Sequence, residues 1–245
     1  MFYGGAENPV SLLPYLPHAV TIDRSEVSAD QFAAQLRGFG PAGLIAILAI
    51  LLGNAIFISF SGVLVLAWVK LSRTPWREIG YVRPKSWVTT IAGGMVFGIA
   101  FKFALKAVVM PLLGADPVNH AYHYLAANRA AIPFTLFALI AGAGFGEETV
   151  FRGFLFERFG KLFGSSVSAK TAIVIITSIW FGLAHYSVQG LAGTEQAIIT
   201  GLTFGAIVAI TGRIWMVMIA HAAFDLTAYA MIYWGIETAV AHFLL

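Results

Sequence analysis

"IPFTLFALIAGAGFGEETVFRGFLF", residues 132–156, decides how this chain must fold. It opens with an uncharged stretch, Ile132 to Gly146, and then sets Glu147, Glu148 and Arg152 within six positions. An apolar run that continues through Phe156 is long enough for the ~20 residues that cross a bilayer core as a helix. Lipid-exposed segments of this length must satisfy their backbone internally, which excludes a strand. Charge inside such a helix costs ~2.5–3.5 kcal/mol per group on insertion scales and faces a bundle interior or a water-filled cavity. The stretch is therefore a membrane helix and a candidate site together.

The remainder of the chain agrees. Of its 245 residues 59% are hydrophobic and 11% charged, against roughly a quarter charged in soluble domains. Apolar runs at 41–69, 88–113, from 132, 171–187, 195–210 and 214–234 predict an all-α polytopic transmembrane bundle of about six spans. The organisation expected is an N-terminal segment 1–40 with a short amphipathic helix starting at a Ser28 cap, two spans over 41–130, and a core over 131–235. Nothing at the N-terminus reads as a cleavable leader. The absence of cysteine excludes disulfides, thiolate metal sites and a cysteine nucleophile.

The net charge of +3 does not point to nucleic acid, because the cations sit in loops between apolar runs. Lys70, Arg73, Arg77, Arg83 and Lys85 occupy one loop, Arg158, Lys161 and Lys170 another, and Arg213 a third. Such loops face the cytoplasm, which predicts both termini on the other side of a prokaryotic plasma membrane. Gly94 with Gly98, Gly142 with Gly146, and Gly201 with Gly205 are spaced for close helix packing. Lys102 and Lys106 read as snorkelling to the interface. Trp68, Trp87, Tyr186 and Trp234 read as interfacial anchors, and His120 and His123 as surface residues without metal.

Six ionisable residues remain inside the apolar runs: Glu147, Glu148, Arg152, His185, His221 and Asp225. Glu148 and Arg152 are one helical turn apart and can pair. Glu147 is rotated by about 100° from Glu148 on an α-helix, so the two carboxylates have different roles. His221 and Asp225 are one turn apart, as are Phe181 and His185. Each of these also has a plain reading: a solvated salt-bridged face, a hydrogen-bonded core histidine, an interhelical polar pair.

"EETVFR", "FGLAH" and "HAAFD", in this order on separate apolar helices, resemble the EExxxR, FxxxH and HxxxN/D motifs of the CPBP intramembrane proteases. That family includes the type II CAAX prenyl endopeptidases and the bacterial ABI proteins linked to bacteriocin immunity. The resemblance implies peptide-bond hydrolysis on a peptide or protein substrate that is lipidated or membrane-embedded. It implies Glu147 as water-activating base, Glu148 and Arg152 as its supporting pair with Phe181 below His185, His185 as water-positioning histidine, and His221 with Asp225 at the oxyanion. A metal reading stays open beside it, with zinc held by Glu147, His185 and His221. An ionised Asp225 would repel an oxyanion where an amide could donate to it, so Asp225 is protonated, orients His221 by accepting its N–H, or ligates a cation, with orientation the favoured reading. A transporter or proton relay, and a catalytically idle immunity or binding protein on the same scaffold, are the competing functions.

Overall fold

The computed structural model describes residues 24–56 and 58–244, and these residues form helices joined by loops, with no strand. The helices are α1 (Arg24–Arg37), α2 (Pro41–Ile56), α3 (Ile58–Leu71), α4 (Trp87–Leu112), α5 (Arg129–Phe163), α6 (Val167–Thr211), α7 (Trp215–Tyr233) and a short α8 (Glu237–Ala241). Four of them are individually long and apolar enough to cross a membrane, and a fifth candidate is the pair 28–54, bent by 57°. The described part of the N-terminal helix includes Arg24, so Ser28 lies inside the helix and does not cap it as expected.

The 41–69 run is not one tilted span. The Ser61 hydroxyl donates to the Ile50 carbonyl at 2.6 Å. In a continuous helix those residues would lie about 16 Å apart, so α2 and α3 form a hairpin that returns to the end from which it started. Residue 57, at its tip, lies outside the described residues.

α6 is continuous in its hydrogen bonding, yet its 45 residues are not one straight helix. Gly190 breaks it, with φ 62° and ψ −160°, a backbone region essentially reserved for glycine. A Cβ built on Gly182 would lie 2.3 Å from Ile198, and one on Gly201 would lie 2.9 Å from Ser178. Contacts between residues that far apart in sequence require the two legs, 167–189 and 191–211, to run antiparallel. They correspond to the expected runs 171–187 and 195–210.

α4 packs along α7 through its small residues. A Cβ on Gly98 would come within 2.1 Å of the Ala220 carbonyl oxygen, and one on Gly94 within 2.9 Å of Ile219. α5 carries a wide π-type winding over Ala138–Glu147 and Thr149–Phe154. The Thr149 hydroxyl donates to the Phe145 carbonyl at 2.6 Å and lies 2.7 Å from the Tyr81 hydroxyl. π-turns are rare and concentrate at functional sites, and this one holds the motif carboxylates.

One end of the bundle collects the basic loops. Arg37 donates to the Ser72 and Arg73 carbonyls at 2.7 Å, Arg73 pairs with Asp30, and Arg158 donates to the Arg37 carbonyl at 2.9 Å. The Ile214 amide donates to the Gly80 carbonyl at 3.0 Å at the same end. α1 therefore shares the end of the 70–87 loop, not the opposite end expected for the N-terminal segment. The physical reason is the α2–α3 hairpin, which adds two legs where one span was expected. α8 lies at the other end, where Glu237 accepts from the Asn119 amide at 3.1 Å and stands 3.5 Å from the Lys106 ammonium.

Two side chains assigned to the surface are core. Trp68 is buried, donates from Nε1 to the Leu36 carbonyl at 3.0 Å and meets Phe154 edge-on at 5.1 Å. Arg158 is buried on α5, paired with Glu157, with its guanidinium 4.4 Å from the Trp68 ring. Trp87, Tyr186 and Trp234 are exposed, as anchors require.

Candidate active site

Three helices supply the site, and each does so for a local reason. α5 brings Glu147, Glu148 and Arg152 on its widened turn, the first leg of α6 brings Phe181 and His185, and α7 brings His221 and Asp225. Gly144 lets α5 approach α7 closely, since a Cβ there would sit 2.8 Å from that of Ala222. That approach carries Glu148 to His221.

Glu148 and Arg152 are the most enclosed polar pair. Arg152 Nη1 donates to Glu148 Oε1 at 2.9 Å, with both side chains at most 1% exposed. The same Oε1 accepts from His221 Nδ1 at 2.7 Å. A carboxylate next to an arginine accepts only, so Nδ1 carries the hydrogen. The Arg152 guanidinium stacks over the Phe181 ring at 4.5 Å, which replaces part of its lost hydration. Phe181 also sits 4.6 Å from the His185 ring and 6.0 Å from the His221 ring, spacing all three.

The other face of His221 is open to two carboxylates. Nε2 lies 3.7 Å from Glu147 Oε2 and 3.6 Å from Asp225 Oδ2. Neither is a hydrogen bond, so the residue that orients His221 is Glu148 and not Asp225 as expected. Geometry explains the change: a carboxylate one turn along the same helix reaches Nε2 obliquely, whereas Glu148 approaches Nδ1 from a facing helix.

His185 Nδ1 bonds the Phe181 carbonyl at 2.7 Å. A carbonyl only accepts, so Nδ1 holds the hydrogen and Nε2 of the neutral ring is the free acceptor. Glu147, His185, His221 and Asp225 all line one cavity of about 270 Å³, whose apolar walls include Phe134 and Phe224. Glu147 and Asp225 are 18% and 24% exposed, against none for Glu148, so the two carboxylates of the motif occupy different environments.

No group of three His, Asp or Glu side chains among the described residues could hold a metal ion. The arrangement does not fit the zinc set Glu147, His185 and His221, and the metalloprotease alternative is unsupported.

The structure adds a residue that the sequence reading assigned elsewhere. Lys102 does not snorkel outward. It is 6% exposed, donates from Nζ to Gln196 Oε1 at 2.9 Å, stands 4.9 Å from the Phe224 ring centre, and lines the same cavity. The available signal was its register: Lys102 continues the Gly94, Gly98 stripe at four-residue spacing, which is the face of α4 buried against α7. Lys106 likewise turns inward, to the Pro117 carbonyl at 2.5 Å and to Glu237. A second cavity of about 570 Å³ shares Lys102, Gln189 and Gln196 with the first and extends to Asp116 and Glu237 at the α8 end. The Gln189 amide and Tyr122 hydroxyl, 3.2 Å apart, stand near the junction. His120 and His123 are exposed, as expected.

Residues 129–227, which carry all three motifs, match the family model described as Type II CAAX prenyl endopeptidase Rce1-like. No curated protein and no solved structure matches the chain. The match spans less than half of the chain and shows a similarity of this segment to that family, beside four helices long and apolar enough to cross a membrane.

Proposed function

We propose that this protein is an intramembrane endopeptidase that hydrolyses a peptide bond of a membrane-associated peptide or protein. The observation that carries the reading is the convergence of Glu147, His185, His221 and Asp225 on one cavity, with His221 held from behind by the buried Glu148–Arg152 pair.

In this reaction Glu147 takes a proton from water as the oxygen attacks the scissile carbonyl carbon. His185 Nε2 accepts the water's other hydrogen bond and aims its lone pair. The carbonyl oxygen becomes an oxyanion, which takes a hydrogen bond from Nε2–H of a His221 imidazolium, whose other hydrogen, on Nδ1, goes to Glu148; Glu148 and Arg152 fix the ring in place. Glu147 then returns its proton to the departing nitrogen, the C–N bond breaks, and a carboxylic acid and an amine leave, the acid giving up its proton to water. The division of labour follows from environment: Glu148 is tied to Arg152 and His221, and Glu147 faces the cavity.

The basic end of the bundle faces the cytoplasm of a plasma membrane by its charge, and the larger cavity opens towards the α8 end. A lipidated substrate fits a site walled by apolar helices. The test is cleavage of a prenylated, internally quenched CAAX peptide by the purified protein in detergent. Wild type should cleave it, and Glu147→Gln should not; a Glu147→Gln protein of wild-type activity would sink the mechanism. Membrane proteomics comparing the two would then identify natural substrates.

A further inference from the structure

Lys102 lies on α4, outside the matched segment 129–227, and the reaction above leaves it without a task. Burying an ammonium in a span is costly, and such groups are retained where they act. Its only polar contact among the described residues is the neutral Gln196 amide. None of the ion pairs formed by the described residues includes it.

The charges on the cavity wall give it a task. Glu148 is matched by Arg152. Glu147 and Asp225 both face His221 Nε2, at 3.7 and 3.6 Å. When the oxyanion is present, Glu147 has already taken the water's proton and is neutral. Asp225 remains, a carboxylate 3.6 Å from Nε2 of the His221 imidazolium, and it cancels the positive charge that the oxyanion would otherwise meet there. Lys102 is the cation on the same cavity wall, against Phe224, the residue next to Asp225. We infer that Lys102 is a positioning residue whose ammonium offsets the Asp225 carboxylate, so that the oxyanion forms at a His221 imidazolium whose charge Asp225 does not cancel. It acts through the field across the cavity and touches no reacting atom.

This inference rests on the protease reading and is tested on the same quenched peptide. Lys102→Gln removes the charge and keeps a donor for Gln196; Lys102→Arg keeps the charge. Lys102→Gln should lower kcat on the order of tenfold or more, because an uncompensated carboxylate acts through a low dielectric. KM should change less, and Lys102→Arg should retain most of the activity. The decisive comparison is Lys102→Gln made together with Asp225→Asn. With the carboxylate gone the lysine is no longer needed, so kcat should return to within a few-fold of Asp225→Asn alone. An equal loss from Lys102→Gln with and without Asp225→Asn would overturn the inference, as would wild-type kcat in Lys102→Gln. Should Lys102→Gln alone fail to fold, recovery of folded protein in the double variant supports the pairing, and failure of both overturns it. A wild-type enzyme that depends on Glu147 but shows additive effects at 102 and 225 would sink this inference and leave the protease reading standing.

Discussion

Exchanging each motif carboxylate for its amide separates the two roles on α5. Glu148→Gln keeps the shape of the side chain and the oxygen that meets Arg152 Nη1 at 2.9 Å and His221 Nδ1 at 2.7 Å. What it removes is the charge. Arg152 is then a buried guanidinium with the Phe181 face, 4.5 Å away, as its remaining compensation. Breaking one partner from a buried pair costs ~3–5 kcal/mol, and the cation–π contact, already made in the wild type, does not offset that loss. At ~2–4 °C per kcal/mol for a chain of this size, the melting temperature should fall by roughly 5–20 °C. Glu147→Gln changes a cavity-facing group whose nearest ion-pair atom is 3.7 Å away, so its melting temperature should stay within a few degrees of wild type. Its activity should instead fall by ~10²–10⁴, the contribution of a general base. The assay pairs thermal melting in detergent with cleavage of the quenched peptide for both variants. Equal stability of the two would refute the assignment of Glu148 as the structural partner. A destabilised Glu147→Gln that keeps its rate would refute the whole division.

Three further outcomes follow from the fold. Gly98→Ala places a Cβ 2.1 Å from the Ala220 carbonyl and must push α4 off α7, whereas Gly93→Ala meets open space; the first should accumulate poorly and melt lower, and the second should match wild type. Because the chain lacks cysteine, single cysteines at Gln31, Lys85 and Tyr124 can be labelled in sealed vesicles. The first two should react from one face and Tyr124 from the other; Gln31 siding with Tyr124 would refute the α2–α3 hairpin. Burial pushes the Tyr81 phenol, in the loop before α4, up to about 12 from its usual 10. A raised folded-state value leaves stability untouched below pH 10 and lowers it as pH rises from 10 towards 12, so melting temperature should decline over that window in wild type and less steeply in Tyr81→Phe.

What the sequence by itself determined about this protein is what depends on short-range physics. An apolar run in lipid must be helical because its backbone has no other partner, which made the bundle legible from composition. The ionisable residues stood out because charge in such a run is expensive, and the turn between Glu148 and Arg152 pairs them whatever surrounds the helix. The tertiary structure decided everything that depends on which helix faces which. Hydropathy cannot say that 41–69 turns back on itself, because a reversal changes no residue's polarity. It therefore set α1 at the opposite end of the bundle from the 70–87 loop, which α1 in fact contacts. Trp68, Arg158 and Lys102 look like interface residues in one dimension; only packing against α1, α5 and α7 shows that they point inward. His221 carries the same lesson at the site. Its neighbour in sequence, Asp225, stops at 3.6 Å, and the bond that holds it comes from Glu148, a residue 73 positions away, because glycines on α5 let two helices close to a distance that no local rule specifies.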